Sequence, residues 1–379
     1  MNILLIGEIY SENLGDPLLC QTVEALILEK YPDAEITRMD MSGKINGQMR
    51  YGTDGNGRSF RDGLDTLWLY SLVCRDRKLY HAFAKDHCRY IAMWCCLCRL
   101  MREHRFDVAV FAGGSVFMDY FAGVVSLIVT RLAVSGVKTV FHACGMSTLG
   151  DEDQALLCKA FRNKNVVFIS LRDGYNRFCS LFPVGDKAVE TYDTALNCSL
   201  LYPPAEKKIA QYGIGLIGRA EYFEEQLQLI RQLRQSHLDW KVFTNGAGYD
   251  EKAAKEILLA AGIEEAELEA YLTRRPATAS ELVKTVTQFE RIISFRMHSQ
   301  ITAASFGIPC YGIAWDPKIV DFFSKLGFPE NTSRHVGSLE QMRRALCGCE
   351  ATIHENARKQ AQISRNHLYE GIQIAIESR

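Results

Sequence analysis

An arginine and a histidine stand two positions apart where a strand pattern gives way to a helical one. The run Ser294-Phe295-Arg296-Met297-His298-Ser299 follows the apolar stretch 291–295 and precedes the helical pattern 299–306. Residues i and i+2 of an extended chain point the same way, so we expect Arg296 and His298 to project together over the helix start. A helix start adds free N–H groups and partial positive charge, which predicts a phosphate or carboxylate site. The alternative is a structural arginine paired with an acid, beside a hydrogen-bonded histidine.

A second junction, Ile169-Ser170-Leu171-Arg172-Asp173, follows the same logic. Arg172 lies at the expected strand end and can clamp an anion through two N–H groups. The alternative is a salt bridge between Arg172 and a neighbour such as Asp173.

The first turn between a strand and a helix, residues 7–17, is not a GxGxxG fingerprint and supports dinucleotide binding only weakly. Asp16 precedes Pro17, as is typical of the first turn of a helix, and it is either a site residue or an N-cap. Gly113-Gly114-Ser115 follows the expected strand 107–112, where paired glycines allow a ligand close to the backbone or form a tight turn.

One further strand end carries a histidine and a cysteine. His142 follows the expected strand 138–143 and is a candidate site residue, although a lone histidine there is more often structural. Cys144 suggests a nucleophile, but no Cys-His-Asp arrangement is legible from the sequence.

Alternating apolar runs and amphipathic helical stretches must position these residues. Repeated β-α-β units predict parallel sheets covered by helices on both faces. We therefore expect an α/β protein with two Rossmann-like domains facing each other across a cleft, with ligands at the carboxyl ends of the strands. The expected domain ranges are 1–200 and 205–349, followed by a helical tail at 350–379. The first domain contains a Gly-rich loop at 42–63 and a helical insertion at 64–103.

Composition excludes several classes of protein. The 379 residues include 44 Lys or Arg and 45 Asp or Glu, which gives no support to nucleic-acid binding. A hydrophobic fraction of 47% argues against a mainly disordered chain. The sequence lacks a spanning apolar run and a basic leader, so neither a membrane span nor a signal peptide is expected. The thirteen cysteines include no CxxC and indicate free thiols in a reducing cytoplasm, with a metal site as the minor alternative.

Taken in order, these junctions resemble the polysaccharide pyruvyl transferase family. The resemblance spans roughly positions 3 to 327. The motifs taken together, in this order, are more specific than any one of them. The matching motifs are Asn13-Leu14-Gly15-Asp16, Ala112-Gly113-Gly114-Ser115-Val116-Phe117, Ser170-Leu171-Arg172-Asp173, Tyr192-Asp193-Thr194-Ala195-Leu196, Arg296-Met297-His298, Gly307-Ile308-Pro309 and Trp315-Asp316-Pro317-Lys318-Ile319.

The resemblance implies a GT-B-like fold and transfer of the enolpyruvyl group of phosphoenolpyruvate to a sugar, as a cyclic ketal. It implies phosphoenolpyruvate as the donor substrate, no cofactor and no metal. The acceptor would be a sugar of a cell-surface polysaccharide or exopolysaccharide, or its lipid-linked oligosaccharide precursor. The residues expected to act are His298, Arg172 and Asp16 in catalysis; Arg296, Arg172, His298, Ser299 and Lys318 in donor binding; and Asn13, Asp16, Gly113, Gly114 and His142 in acceptor binding.

Two other functions stay open at this point, a GT-B glycosyltransferase that uses a nucleotide sugar and a non-catalytic sugar- or anion-binding scaffold. A cytoplasmic enzyme is expected. The aromatic and basic residues of 64–103 allow peripheral contact with a membrane surface; the alternative is a helical hairpin that only packs on the first domain.

Overall fold

The computed structural model describes residues 1–45, 48–49 and 60–378 of the chain. Most of the Gly-rich loop expected at 42–63, namely 46–47 and 50–59, lies outside the described residues. The remainder is an α/β structure in which two parallel sheets organise two compact units, beside a two-stranded antiparallel pair formed by 44–45 and 48–49.

The first strand shows how the sequence builds the first sheet. Its apolar side chains alternate between two buried clusters: Leu4 and Ile6 lie in one, and Ile3 and Leu5 in the other. A strand buried on both faces is typical of a parallel sheet covered by helices on each side.

The first half of the chain runs from β1 to β8. Its elements are β1 (Asn2–Gly7), α1 (Gly15–Lys30), β2 (Glu35–Asp40), β3 (Lys44–Ile45), β4 (Gln48–Met49), α2 (Phe60–Arg75), α3 (Arg77–Lys85), α4 (His87–Glu103), β5 (Val108–Phe117), α5 (Asp119–Val134), β6 (Lys138–Met146), α6 (Asp151–Phe161), β7 (Val166–Leu171), α7 (Tyr175–Leu181) and β8 (Ala188–Glu190). Six of the strands form a sheet in the order β2-β1-β5-β6-β7-β8, and every neighbouring pair in it is parallel.

The second half repeats this architecture. Its elements are β9 (Ala210–Gly215), α8 (Phe223–Arg234), β10 (Trp240–Phe243), α9 (Gly248–Ala260), α10 (Leu268–Tyr271), α11 (Ala279–Thr287), β11 (Phe289–Ser294), α12 (Met297–Ser305), β12 (Cys310–Ile313), α13 (Pro317–Leu326), β13 (Thr332–Ser333), α14 (Leu339–Ala345) and α15 (Glu350–Glu377). The sheet order is β10-β9-β11-β12-β13, again with parallel pairs throughout.

The two compact units are not contiguous in sequence. The first unit comprises Met1–Tyr10, Leu19–Tyr192 and Ser364–Arg379, and the second comprises Ser11–Leu18 and Asp193–Ile363. The turn before α1, which the sequence assigns to the first domain, therefore belongs to the second unit. The tail forms a single helix, α15, whose two parts belong to different units.

The helical insertion expected at 64–103 is confirmed, and it consists of three helices. The chain breaks at Asp76 and Asp86, whose carboxylates accept backbone N–H groups from the helix that follows. The inner faces of the three helices join the hydrophobic core of the first sheet, where the rings of Trp68 and Trp94 meet edge to face at 5.1 Å. The insertion thus packs on the first unit.

Two element ends differ from the expectation. β5 does not stop at residue 112 but continues through Gly113 and Gly114, whose φ angles are +78° and +80°. The strand register is regular through the two glycines and shifts between Gly114 and Phe117, so the glycines lie inside the strand, directly before an irregularity, rather than in a turn after it. Helix α12 begins at Met297, two residues before the expected start.

The helices of the described residues include none whose apolar stretch is long enough to span a bilayer.

Candidate active site

Two helix N-termini meet inside the second unit. A Cβ on Gly15, the first residue of α1, would lie only 1.9 Å from Nδ1 of His298, in the first turn of α12. The backbone of Gly15 therefore rests directly on the imidazole. Helix N-termini carry partial positive charge. In α1 the N–H of Asp16 donates to the carbonyl of Asn13 at 3.0 Å and Pro17 has no N–H, so free N–H groups are expected from α12. The meeting of the two N-termini concentrates positive potential around His298, which is 8% exposed.

The loop after β10 fixes the segment that leads into α1. The N–H of Leu14 donates to the carbonyl of Asn245 at 3.0 Å, and a Cβ on Gly246 would lie 2.5 Å from Cγ of Leu14. Gly246 has a φ of +101°, which only glycine adopts readily. This loop therefore holds the start of α1 at the carboxyl edge of the second sheet.

Asp16 is held in place by two polar neighbours. Oγ of Ser11 and Nδ2 of Asn13 each donate to Oδ2 of Asp16 at 3.1 Å. Within the described parts of the chain no hydrogen bond reaches Oδ1, so this oxygen is left to accept a proton from a ligand. Asp16 lies inside the first turn of α1 rather than at its N-cap.

Arg296 forms a buried ion pair with Asp250. Nε donates to Oδ2 at 3.0 Å, and Nη2 donates to Oδ1 and Oδ2 at 2.5 and 2.6 Å. Asp250, which is fully buried, also accepts the N–H of Gly218 at 2.7 Å. Burial would lower the pKa of Arg296, but the attraction and hydrogen bonds from Asp250 outweigh burial and raise it. This is the structural alternative considered from the sequence; donor binding by Arg296 stays a prediction.

The expectation that Arg296 and His298 project side by side is wrong. Only Arg296, the N-cap of α12, has extended backbone, because the helix begins at Met297. Successive helical residues turn by about 100° around the axis, so the two side chains diverge. Arg296 reaches Asp250, whereas His298 contacts Gly15.

Ser299 stabilises this junction. Its hydroxyl is fully buried, donates to the carbonyl of Arg296 at 2.7 Å and lies 2.7 Å from Oγ of Ser294. The hydroxyl therefore holds the turn before α12, and the donor-binding role expected of Ser299 stays a prediction.

Lys318 lies in the first turn of α13, beside the same junction. Its Nζ pairs with Asp316 at 3.2 Å and lies 5.7 Å from the ring centroid of Trp315. The indole N–H of Trp315 donates at 2.6 Å to the carbonyl of Phe295, the residue before Arg296. Lys318 is thus tied to the turn that precedes α12, and its contact with the donor stays a prediction.

Asn245 is a candidate that sequence reasoning missed. It is 1% exposed, and neither its side-chain oxygen nor its nitrogen has a hydrogen-bond partner among the described residues. The buried Oδ1 of Asn13 is also unpartnered there. A buried amide without partners costs about 1–3 kcal/mol, which calls for an explanation such as a ligand. Its sequence signal is the polar run Thr244-Asn245-Gly246 directly after an apolar strand.

In the first unit, Arg172 follows β7 as expected and is almost fully buried. Its Nε lies 3.4 Å from Oδ2 of Asp173, whose Oδ1 accepts the N–H of Met146 at 2.7 Å. A Cβ on Gly145 would lie 2.7 Å from Oδ2 of Asp173, so a side chain there would displace this carboxylate. The salt bridge considered as the alternative for Arg172 is present; catalysis and donor binding by Arg172 stay predictions.

His142 lies inside the first sheet with no exposed surface. Its Nδ1 is 3.2 Å from Oγ of Ser170, which also accepts the N–H of Ala143 at 2.9 Å. Ala143 has a φ of +48°, a strained conformation for a residue other than glycine. The ring is engaged inside the sheet by Ser170, and the acceptor-binding role expected of His142 stays a prediction.

Gly113 and Gly114 of β5, the strand beside β6, differ in the space around them. A Cβ on Gly113 would lie 3.2 Å from the carbonyl of Ala143, whereas a Cβ on Gly114 would have no described atom within 4 Å. Open space beside the backbone at Gly114 is compatible with the acceptor-binding role expected of the pair, which stays a prediction.

Cys144 has no feature of a nucleophile. Its thiol is fully buried, and burial raises its pKa far above the ordinary value. All thirteen cysteines are free. In the parts of the chain that the structure describes, no three His, Cys, Asp or Glu side chains are grouped so as to hold a metal ion.

Comparison with solved structures identifies the fold. The chain resembles the S. aureus MnaA–UDP co-structure, with a TM-score of 0.59, 10% identity and coverage of 99% of this chain and 97% of that chain. It equally resembles the UDP-GlcNAc 2-epimerase from Neisseria meningitidis bound to UDP-GlcNAc, with a TM-score of 0.59, 10% identity and full coverage of both chains. At this identity the likeness shows the fold alone, which is GT-B-like.

Sequence comparison identifies the family. No curated protein matches the chain. The family model described as polysaccharide pyruvyl transferase matches residues 13–317, from the turn before α1 to the start of α13. Because this match spans most of the sequence, the chain belongs to the polysaccharide pyruvyl transferase family.

Proposed function

We propose that this protein transfers the enolpyruvyl group of phosphoenolpyruvate to a sugar of a cell-surface polysaccharide or its lipid-linked precursor. The product is a cyclic pyruvate ketal, and phosphate is released. Family membership supports a pyruvyl transferase. The structural observation that carries the proposal is the contact between Gly15 and His298, which brings the motifs 13–16 and 296–298 together within one unit.

The chemistry of the donor suits this contact. Phosphoenolpyruvate carries a phosphate and a carboxylate, and both need positive partners. The N-terminus of α12 offers N–H groups and partial positive charge, and His298 lies in its first turn, against the backbone of Gly15. Arg172 and Lys318 are proposed as further donor contacts, on the family resemblance and their cationic side chains.

The proposed reaction adds two hydroxyls to C2 of the enolpyruvyl group. The first sugar hydroxyl loses its proton to Asp16 and bonds to C2, while C3 takes a proton from His298 and becomes a methyl group. The second hydroxyl then bonds to C2, and the C–O bond to phosphate breaks with its electron pair leaving on phosphate. The two sugar hydroxyls lose two protons in the whole reaction. One of them makes up for the proton that C3 gains, and the other ends on phosphate.

Side chains around Asp16 supply acceptor contacts in this proposal. Oδ1 of Asp16 is open to a hydroxyl, because both neighbouring donors bind Oδ2. Oδ1 of Asn13 and the amide of Asn245 have unused hydrogen-bonding capacity in the described structure. A sugar that presents two hydroxyls as donors and acceptors would satisfy these groups.

Phosphate release from phosphoenolpyruvate in the presence of a panel of sugar acceptors tests the proposal. His298→Ala should lower the rate by a factor of about 10²–10⁴, the usual contribution of general acid–base catalysis. His335→Ala is the matched control, because His335 lies in the same unit with a mostly exposed side chain and should leave the rate unchanged. Arg172→Ala should raise the KM for phosphoenolpyruvate.

Three results would contradict the proposal. The first is equal turnover by wild type and His298→Ala. The second is consumption of a nucleotide sugar with no use of phosphoenolpyruvate, which would identify a glycosyltransferase. The third is binding of phosphoenolpyruvate without turnover across the panel, which would identify a scaffold. Since no step uses a metal, we expect a chelator to leave the rate unchanged.

A further inference from the structure

The first helix of the insertion exposes a line of large apolar side chains. Leu64, Leu67 and Tyr70 of α2 are 50%, 66% and 42% exposed, and Cys74 continues the line at the surface. Spacings of three and four residues place them on one side of a helix. We call these four residues the outer strip of α2. Its inner side, with Leu69 and Val73 fully buried, packs into the core, so the helix is apolar on two sides.

Two more exposed aromatic side chains lie on other helices of the first unit. Tyr80 on α3 and Tyr120 at the start of α5 are each 51% exposed. The ring of Tyr70 contacts Phe83 of α3 at 5.6 Å, which ties the strip to the next helix. Five of the twelve exposed large hydrophobic side chains among the described residues thus lie between positions 64 and 120. A concentration of this kind marks an interaction surface more often than chance exposure.

The insertion is also the basic part of a nearly neutral chain. Residues 60–103 hold eight Lys or Arg and five Asp or Glu, whereas the whole chain holds 44 and 45. Three of these acids are engaged locally: Asp65 pairs with Arg102, Asp76 with Lys159 and Asp86 with Arg89.

Three cations at the end of the outer strip have no such partner. Arg75, Arg77 and Lys78 are exposed at the junction of α2 and α3, and no carboxylate pairs with them in the described parts of the chain. We call these three residues the basic turn. It follows directly on the strip, since Arg75 is one residue beyond Cys74.

We propose that the outer strip and the basic turn form a docking surface for a membrane that contains anionic phospholipid. Leucine side chains suit the boundary between headgroups and acyl chains, tyrosines suit the headgroup level, and unpaired cations attract lipid phosphates. A second copy of this chain docked through the same surface would set these cations against each other and offer no complementary charge. The surface lies wholly within the first unit and uses no residue of the candidate active site.

Flotation with vesicles of phosphatidylcholine, with or without phosphatidylglycerol, tests this inference. Wild-type protein should float with the phosphatidylglycerol vesicles at low salt and detach as salt rises. Arg77→Gln combined with Lys78→Gln should weaken binding about 25-fold, at roughly fivefold for each charge removed. Leu67→Gln should weaken binding about tenfold at any salt concentration, because it removes apolar contact rather than charge.

Matched controls come from an exposed helix of the second unit. Lys252→Gln combined with Lys255→Gln, and separately Leu259→Gln, change the same kinds of side chain on α9 and should leave flotation unchanged. All the replaced side chains are exposed, so every variant should unfold at the wild-type temperature.

The inference fails if wild-type protein floats no better with phosphatidylglycerol than without it, or if the α9 variants lose as much binding as the α2 variants. It also fails if Leu67→Gln abolishes self-association in sedimentation velocity while vesicle binding is unchanged, because the strip would then belong to a second copy. The flotation assay needs no turnover, so its failure is distinct from failure of the proposed reaction.

Discussion

Replacing Gly15 with alanine tests the contact on which the proposed site depends. Alanine is the best helix former, so at the start of α1 the change should by itself be neutral or favourable. The added Cβ, however, would lie 1.9 Å from Nδ1 and 2.6 Å from Cβ of His298, whereas ordinary contact begins at 3.4 Å. Rotation of the imidazole can relieve the first contact but not the second, since the backbone fixes the Cβ of His298.

One of the two helix starts must therefore move by roughly 0.8 Å, the shortfall between 2.6 and 3.4 Å. Forced overpacking of this kind costs about 1–3 kcal/mol of unfolding free energy. A misplacement of about 1 Å at a catalytic group can cost about 10²-fold in rate. We thus expect Gly15→Ala to lower both the urea midpoint and the rate of phosphate release from phosphoenolpyruvate.

Gly63→Ala is the control for this change. It makes the same substitution inside α2, where an added Cβ would meet no described atom within 4 Å. It should stabilise the protein by up to about 1 kcal/mol and leave the rate unchanged. If Gly15→Ala is as stable and as active as wild type, then Gly15 and His298 are not in contact and the proposed meeting of the two motifs is refuted.

Four further predictions concern the surroundings of the site and the fold. Asp250→Ala should cost about 3–5 kcal/mol of unfolding free energy in denaturant titration, because it leaves Arg296 charged and unpaired. Asn245→Leu should stabilise the unliganded protein by about 1–3 kcal/mol and raise the KM for the acceptor, since it removes a buried amide without partners. Cys144→Ala should keep its turnover in the phosphate-release assay, because burial holds the thiol protonated. Burial lowers the pKa of His367 below its ordinary value of 6.5. The free energy of unfolding should therefore stay constant above pH 6.5 and decrease as the pH falls below it, because the unfolded chain then takes up a proton that the folded protein does not. His367→Gln should reduce this pH dependence in denaturant titrations.

The sequence was sufficient to predict the sheets and the helical insertion because these depend on local patterns. Apolar runs such as Asn2–Gly7 and Val166–Leu171 become strands buried on both faces, and the regular alternation with helices predicts parallel order. The insertion at 64–103 was predicted as helical, and its division at Asp76 and Asp86 follows from capping by aspartate.

The partners of the site residues could not be predicted from the sequence, because they depend on contacts between distant segments. Arg296 and Asp250 are 46 positions apart, and their pairing requires the β-α-β packing that brings α9 beside α12. The start of α12 also differed from the expectation by two residues, which turned His298 away from Arg296. A shift of this size is small for a helix boundary, yet it decides which way a side chain points.

Several features at the carboxyl edge of the second sheet are unusual for a core that serves stability alone. Gly15 leaves no room for a Cβ beside the ring of His298, and Asn245 buries an amide without partners in the described structure. A core selected for stability alone would replace such an amide with a leucine, because an apolar side chain of similar volume carries no desolvation cost. The buried ion pair of Arg296 and Asp250 also adds little stability compared with apolar side chains, because apolar replacements of buried ion pairs are often neutral or stabilising. The binding role proposed above for this edge of the second sheet would account for these features, whereas stability alone would not.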